Sequence, residues 1–296
     1  MYTPSPERLC SDLANTFHSS IYFSPHLAEL LPSALRENPM DVYLAGRLSP
    51  AGIVSGNGAS SLLYSFSAAM LNRRVPLVWD AISPAAAIEA RFVAIDRTLT
   101  EYLPADLISG ESMVLAASLA RKAADACAAE GRPMFGALKN IEYPEPAYLA
   151  LWHACTLLRE YRGDGHIDVL REHGLSGIQS LVFHSSTPMG MPMEVVREKR
   201  GWSVKDWTDA AQSLASLGLL NGAGQITDKG LALHWSIESE TDTGSRQPFE
   251  SLGITDTRAL SDLMQPMVRA MVSNGLFPTA LLNVFVTSEN SEQPSP

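Results

Sequence analysis

The sequence predicts a mainly α-helical protein, a multi-helix bundle with an embedded winged-helix module that carries a small two-stranded β-wing. Three observations predict it. Up to residue 186 no long apolar–polar alternation occurs, while apolar residues recur at helical spacing. Helix starts are written in full: Ser-Pro pairs, and Ser with Gln or Asp three residues on. Past residue 186 the order becomes helix, turn, helix, short hairpin, helix. There LGLLNGAGQITDKGLAL (217–233) places each turn residue where a hairpin and a cap require it.

Ser5-Pro6 opens the first helix, with Cys10, Leu13, Phe17 and Ile21 on its core side and His18 beside them. Pro25, Pro32 and Pro39 break the next stretch into short pieces. Residues 43–58 are rich in glycine and serine but lack the phosphate-loop pattern, so they read as a helix–helix connection. Helices are expected over 59–72 and 76–81. Another starts at Ser83-Pro84 with Ile88, Phe92, Ile95 and Leu99 on one face, and an alanine-rich one runs over 111–130. Residues 131–147 hold Gly131, Pro133, Gly136, Pro144 and Pro146, the composition of a long loop and a boundary. A helix over 148–162 is expected to stop at Gly163, with Asp164 capping a short helix that carries His166 and ends near Gly174. Ser176 and Gln179 have capping-box spacing for a helix ending in Phe183-His184.

Pro192 then starts a helix ending at Gly201, and Ser203 with Asp206 forms a second capping box. Trp207, Ala210 or Ala211, Leu214 and Leu217 make an apolar stripe, and Thr227 caps a helix through His234, Trp235 and Ile237. A connector over 242–250 leads to a final helix over 256–274 with a kink at Pro266; its methionines and those of MGMPM (189–193) read as core filler or an adaptable interface. The resulting division is 1–144 (N-terminal helical domain), 145–186 (central segment), 187–242 (winged helix), 243–287 (C-terminal helix packing back) and 288–296 (disordered tail). The phrase FHSS occurs at 17–20 and 183–186, a hint of duplication or a coincidence.

The chain is 46% hydrophobic and 18% charged with net charge −10. An acidic chain has no global attraction to nucleic acid or anionic membrane. Cys10, Cys127 and Cys155 are odd in number and far apart, so they read as buried thiols of a reducing compartment. MYTPSPERLC has no signal-peptide layout and no run approaches a membrane span, so a cytoplasmic location is expected.

Chemistry concentrates in Tyr148–Ser186, where four of the seven histidines (His153, His166, His173, His184) stand. Trp152, Cys155, Arg159 and Arg162 share a helical face, and arginine on an apolar stripe demands a partner. His166, Asp164, His18 and His184 are the candidate catalytic residues, with Asp164 fixing the His166 tautomer. Arg159, Arg162, His153, Tyr22 and Trp152 are the candidate ligand-binding residues, the guanidiniums clamping a carboxylate or phosphate. The plainer alternative is a helix–turn corner in which Asp164 is a cap and Arg162 its ion-pair partner. No H-x-x-x-H or H-E-x-x-H occurs, so no metal ligands and no cofactor are assigned, although distant histidines leave a haem or metal reading open. Glu238 and Asp242, at i and i+4, read as solvated carboxylates.

The winged helix is expected not to bind DNA. Residues 187–242 hold five bases against eight acids, and the helix over 203–217 has Lys205 facing Asp206 and Asp209. Resemblance enters through FHSSIYF (17–23), YLAGRLSPAG (43–52), LWHACTLLREYRGDGH (151–166), LVFHSS (181–186), RGWSVKDW (200–207), Thr227–Gly230 and ESETD (238–242). On these the chain resembles the SalK-like actinobacterial helix-turn-helix family, whose C-terminal part is similar to MarR-type winged helices. Members occur in actinobacterial genomes, some in secondary-metabolite clusters, without a settled activity. The resemblance implies a helical protein with an embedded winged helix, and His18, Arg159, Arg162, Asp164, His166, His184, Glu238 and Asp242 match its polar positions. The expectation is a small-molecule-binding protein or enzyme of secondary metabolism, with a His/Arg/Asp pocket between helical part and winged helix. The alternatives are a dimeric MarR-like ligand-responsive regulator and a haem or metal protein.

Overall fold

A computed structural model describes residues 5–188 and 190–279. Ser5 caps α1 (Pro6–Ser19) by accepting from the Arg8 N–H, and a 3-10 turn (Ser20–Tyr22) follows. The proline-broken stretch forms α2 (His26–Leu30), α3 (Ser33–Arg36) and α4 (Pro39–Leu48), ending in a second 3-10 turn, Ser49–Ala51. Next come α5 (Gly56–Leu62), α6 (Ala68–Ala81), α7 (Pro84–Tyr102), α8 (Ala105–Ser109), α9 (Glu111–Asp125) and α10 (Pro133–Lys139). The central helix is α11 (Ala147–Glu172), followed by α12 (Gly177–Ser185), α13 (Met193–Lys199), α14 (Val204–Ser216) and α15 (Asp228–Gly244). A short α16 (Gln247–Leu252) and α17 (Ile254–Ser273), which contains Pro266, complete the described chain. The expected 288–296 tail and part of 243–287 lie outside the described residues.

Two apolar cores organise these helices. The larger gathers Leu13 and Phe17 of α1, Leu44 of α4, Ile95 of α7, Ala116 of α9, Phe135 of α10, the first half of α11, and Met264 and Met271 of α17. The smaller joins Leu170 at the end of α11 to Val182, Val196, Leu214 and Ile237 of α12–α15. α11 crosses both. Between Leu149 and Tyr161 it is apolar and buried on nearly every side, as a helix at the centre of a bundle must be.

The capping residues read from the sequence act as caps here. Ser176–Gln179 and Ser203–Asp206 form reciprocal capping boxes, and Thr227 accepts from the Gly230 N–H. Three extents differ from expectation: residues 43–48, read as part of a connection, belong to α4; the helix expected over 59–72 is broken into α5 and α6; and the connector over 242–250 is largely the end of α15 and α16. Four further expectations change in kind. First, α11 runs unbroken through Gly163, Asp164 and Gly165. Those glycines serve lateral packing: Arg159 lies over Gly163, and the Arg132 guanidinium sits where a Gly165 Cβ would be. Arg132 donates there to the Tyr161 and Gly244 carbonyls at 3.1 and 2.9 Å. Gly174, with φ 70°, is the actual stop. Second, Asp164 caps a different helix, accepting from the Phe135 N–H at 3.0 Å at the start of α10. Third, the segment 131–147, read as a loop, contains α10, whose Met134, Phe135 and Leu138 are buried. Fourth, the described residues contain no β-strand. The wing is a turn closed by a single antiparallel bridge, Leu220–Ile226. The Asn221 side chain accepts from Ala223 and Gln225 as a tight turn requires. Thr227, already bonded to Leu219, must cap α15 at once, so no residues remain to extend a ladder.

The smaller core is fastened to the larger by the loop between α5 and α6. Trp202 Nε1 donates to the Ser65 carbonyl at 2.8 Å, Ser67 N–H to the Arg200 carbonyl at 2.9 Å, and Tyr64 Oη to the Leu175 carbonyl at 2.7 Å. Gly177 abuts the Tyr64 backbone so closely that a Cβ would collide with its carbonyl. Gly177→Ala is therefore expected to destabilise the fold by about 1–3 kcal/mol in urea denaturation. Gly222→Ala, where a Cβ meets open space, leaves the midpoint unchanged to within about 0.5 kcal/mol.

Candidate functional site

The turn of α11 between Arg159 and His166 lies where the two cores meet, and two polar groups converge on it from opposite sides. The first is built around Glu160, whose side chain is 2% exposed. Both of its oxygens face the Arg47 guanidinium of α4, and Arg159 Nη1 donates to the Glu160 Oε2 at 2.8 Å. Two further guanidiniums approach without a carboxylate. Arg91 of α7 is 5% exposed, lies 5.2 Å from the Trp152 ring centre, and makes no hydrogen bond or ion pair among the described residues. Arg200, just past α13, sits 4.0 Å from the Phe66 ring centre, reaches the Tyr43 hydroxyl, and leaves its Nε buried and unpartnered.

Tyr22, Tyr43 and His18 stand among these cations. Burial would raise the Tyr43 hydroxyl, but Arg200, Arg47 and Arg159 outweigh it and lower it. Burial, with Arg159, Arg47 and Arg91 beside it, pushes His18 well below the usual imidazole range. Burial also lowers Arg91 and Arg159 to about 10, with Arg47 adding to the effect on both. The tautomer of His18 follows from its partners. The Thr156 hydroxyl donates to the Trp152 carbonyl at 2.9 Å, so it accepts from His18 Nδ1 at 2.9 Å. His18 Nε2 is left as a buried acceptor with no partner. Arg159 is crowded by protein yet 33% of its side chain remains accessible, so the group is reachable.

The second group joins α1, α11 and α15. Arg8 bonds Asp12 at 3.0 Å and Glu238 at 2.8 Å, while Arg162 bonds Glu238 at 3.1 Å and Asp242 at 2.7 Å. Burial would raise the Glu238 carboxyl, but Arg162 and Arg8 hold it down to about 2. His166 Nδ1 bonds Thr241 Oγ1 at 2.9 Å, and that hydroxyl donates to the Ile237 carbonyl at 2.7 Å. His166 is thus also an Nδ1–H tautomer, kept neutral by burial down to about 4 despite Glu238. His184 and His234 lie beside it with ring centres 6.4 Å apart, both lowered by burial.

Of the residues read from the sequence, His18, Tyr22, Trp152 and Arg159 belong to the first group, and Arg162, His166 and His184 to the second. Asp164 does not orient His166; it is turned to α10, and Thr241 does the orienting. His153 sits behind Arg91, edge-on to Tyr143 and Phe92. Glu238 and Asp242 are ion-paired to two helices. The sequence reading missed Arg8, Arg47, Arg91, Arg200, Glu160 and Tyr43. Arg91 had a signal: Ala87, Ala94 and Thr98 on its helical face are small and buried, which makes room for a large side chain. Among the described residues no set of three or more His, Cys, Asp or Glu converges to hold a metal.

The α13–α14 stretch adds little positive surface. On α14, Lys205 pairs with Asp209 at 2.6 Å; Arg197 donates to the Trp202 carbonyl and Arg200 turns inward. The open grooves of the surface, one of about 570 Å³ lined by Asp41, Arg74 and Asp80 and one of about 340 Å³ along Gln179 and Trp202, hold none of these groups.

Glu160→Gln would leave Arg47 and Arg159 buried without a counter-charge, and a loss of about 3–5 kcal/mol in urea denaturation is expected. Acid should loosen the fold in two stages. His166 stays neutral in the fold down to about 4, whereas the unfolded chain takes up its proton near about 6.5, so stability falls as pH drops through that interval. Glu238, depressed to about 2 from 4.5, contributes stability above 4.5 that is lost between those values. Urea midpoints measured stepwise below pH 7 check this, and His166→Asn should make the first stage shallower without abolishing it, because burial lowers His18, His153, His184 and His234 in the same direction.

No curated protein and no solved structure matches this chain. No helix of the described residues is long and apolar enough to cross a membrane. A family model described as a helix-turn-helix family matches residues 7–278, nearly the whole chain, and the protein belongs to that family.

Proposed function

We propose that this protein binds a small anionic molecule at the Arg47–Arg91–Arg159–Arg200 cluster, between the helical body and the helix-turn-helix segment. The observation that carries the reading is Arg91, a buried guanidinium with no acidic partner and no hydrogen bond among the described residues. A charge buried unpaired costs several kcal/mol, and folding alone gives no return for it. Arg200 likewise has no carboxylate, and Arg159 shares Glu160 with Arg47. An anion entering beside Arg159 would supply the missing counter-charge.

A ligand-responsive regulator is the second reading, favoured by the family match and by the capped α14 in helix-turn-helix order. The Lys205–Asp209 pair and the inward Arg200 weigh against a phosphate-binding face. A gel shift with promoter-length duplex at low salt tests it, and absence of any shift removes it.

Arg91→Met separates the binding reading from a purely structural one. A structural arginine would lose stability on replacement. Here the isolated variant is expected to be as stable as the parent or more so, while stabilisation by added anions, read as a rise in melting temperature, disappears. Loss of stability with anion response intact would refute the assignment.

A further inference from the structure

Resting on that anion reading, we infer that the group bound is a phosphoryl dianion. Arg47 and Arg159 share the one carboxylate, Glu160, while Arg91 and Arg200 lie on the Trp152 and Phe66 rings without one, so four guanidiniums of this cluster have a single counter-charge. A monocarboxylate would leave two of the excess charges buried and uncompensated. A phosphoryl group brings close to two negative charges and three acceptor oxygens. Shape points the same way. The guanidiniums come from four segments, α4, α7, α11 and the end of α13, so their donors are not held in one common plane by a single helix. A planar carboxylate suits one bidentate fork, whereas tetrahedral oxygens can meet donors from several directions. Arg200 Nε is buried without a partner, so the protein has a donor still to satisfy there.

Aromatic rings pack on one another beside the cluster: Tyr22 and Tyr43 have centres 5.2 Å apart, Tyr43 stacks on Phe66 at 5.7 Å, and His18 lies edge-on to Tyr22 at 5.4 Å. The titratable groups facing the site are His18, Tyr22, Tyr43, Glu160 and the four arginines. His18 stays neutral well below the usual imidazole range, so it does not change charge across mild acid.

Calorimetric titration of the full chain with phenyl phosphate, benzenesulfonate and benzoate tests the inference. All three carry the same ring; only the first becomes a dianion, and benzenesulfonate matches its shape. At about pH 7.5 phenyl phosphate is expected to bind at least about tenfold more tightly than either monoanion. Its lead should shrink at about pH 5.5, across the second phosphoryl ionisation near 6, while benzenesulfonate affinity stays constant. Arg91→Met should narrow the dianion-to-monoanion ratio. Should that variant not fold, Arg200→Gln, at the accessible edge, must show the same narrowing. Equal affinity for all three anions would sink the dianion inference and leave anion binding standing; no binding of any of them would sink both. An equal loss for dianion and monoanions in the folded variants would also overturn it.

Discussion

The Glu160 carboxylate, buried between Arg47 and Arg159, is the interaction on which the middle of this protein depends. It ties α4 to α11 at the level where the larger core gives way to the smaller. One carboxylate serving two guanidiniums already leaves positive charge in excess, and Arg91 and Arg200 add to it. Net stability of a domain is only about 5–15 kcal/mol, so several uncompensated buried charges are a large fraction of it. The proposed anion site rests on that excess of charge and on the scaffold that holds it.

α11 provides that scaffold. A helix enclosed on nearly all sides presents neighbouring residues to different partners. Arg159 goes to Glu160 and the α4 side, and Arg162, three residues on, goes to Glu238 and Asp242 of α15. Glu160 and Asp164, four residues apart, look toward α4 and α10. Two glycines in a helix interior cost about 1 kcal/mol each, and here they let Arg132 and Arg159 cross the helix surface. The helix-turn-helix segment is thereby held at both ends: through the Arg8–Glu238–Arg162 network on α15, and through Arg200, Trp202 and Ser67 on the other side. Anything that rearranges the guanidinium cluster acts directly on a residue of that segment, Arg200.

How far the site was legible depended on distance along the chain. His18, Trp152, Arg159 and Arg162 stood out because polar groups on apolar helical faces are anomalies visible within one or two turns. Arg91 sat on an equally anomalous face, but its neighbours Ile88, Phe92 and Ile95 made the stripe look like ordinary core. Glu238 and Asp242 looked solvated because nothing within their own helix neutralises them; their partners are some 75 and 230 residues away in sequence. RGDGH was misread for a related reason. Glycine signals a stop by its own backbone preference, and the sequence does not display the arginine of another segment that needs the missing Cβ.

By itself the sequence determined the helical class, the Ser5, Ser83, Ser176, Ser203 and Thr227 caps, the Asn221 turn and the acidic balance of the C-terminal module. These are local properties, set by residues within four positions of one another, where backbone hydrogen bonding leaves few alternatives. Only the tertiary structure decided that α11 passes through its glycines, that Asp164 caps α10, that the hairpin stops at one bridge, and that Arg47 and Arg159 share the Glu160 carboxylate while Arg91 and Arg200 have none. Those outcomes depend on which side chains the packing brings together, and charge balance is a property of that assembled neighbourhood, not of any stretch of chain.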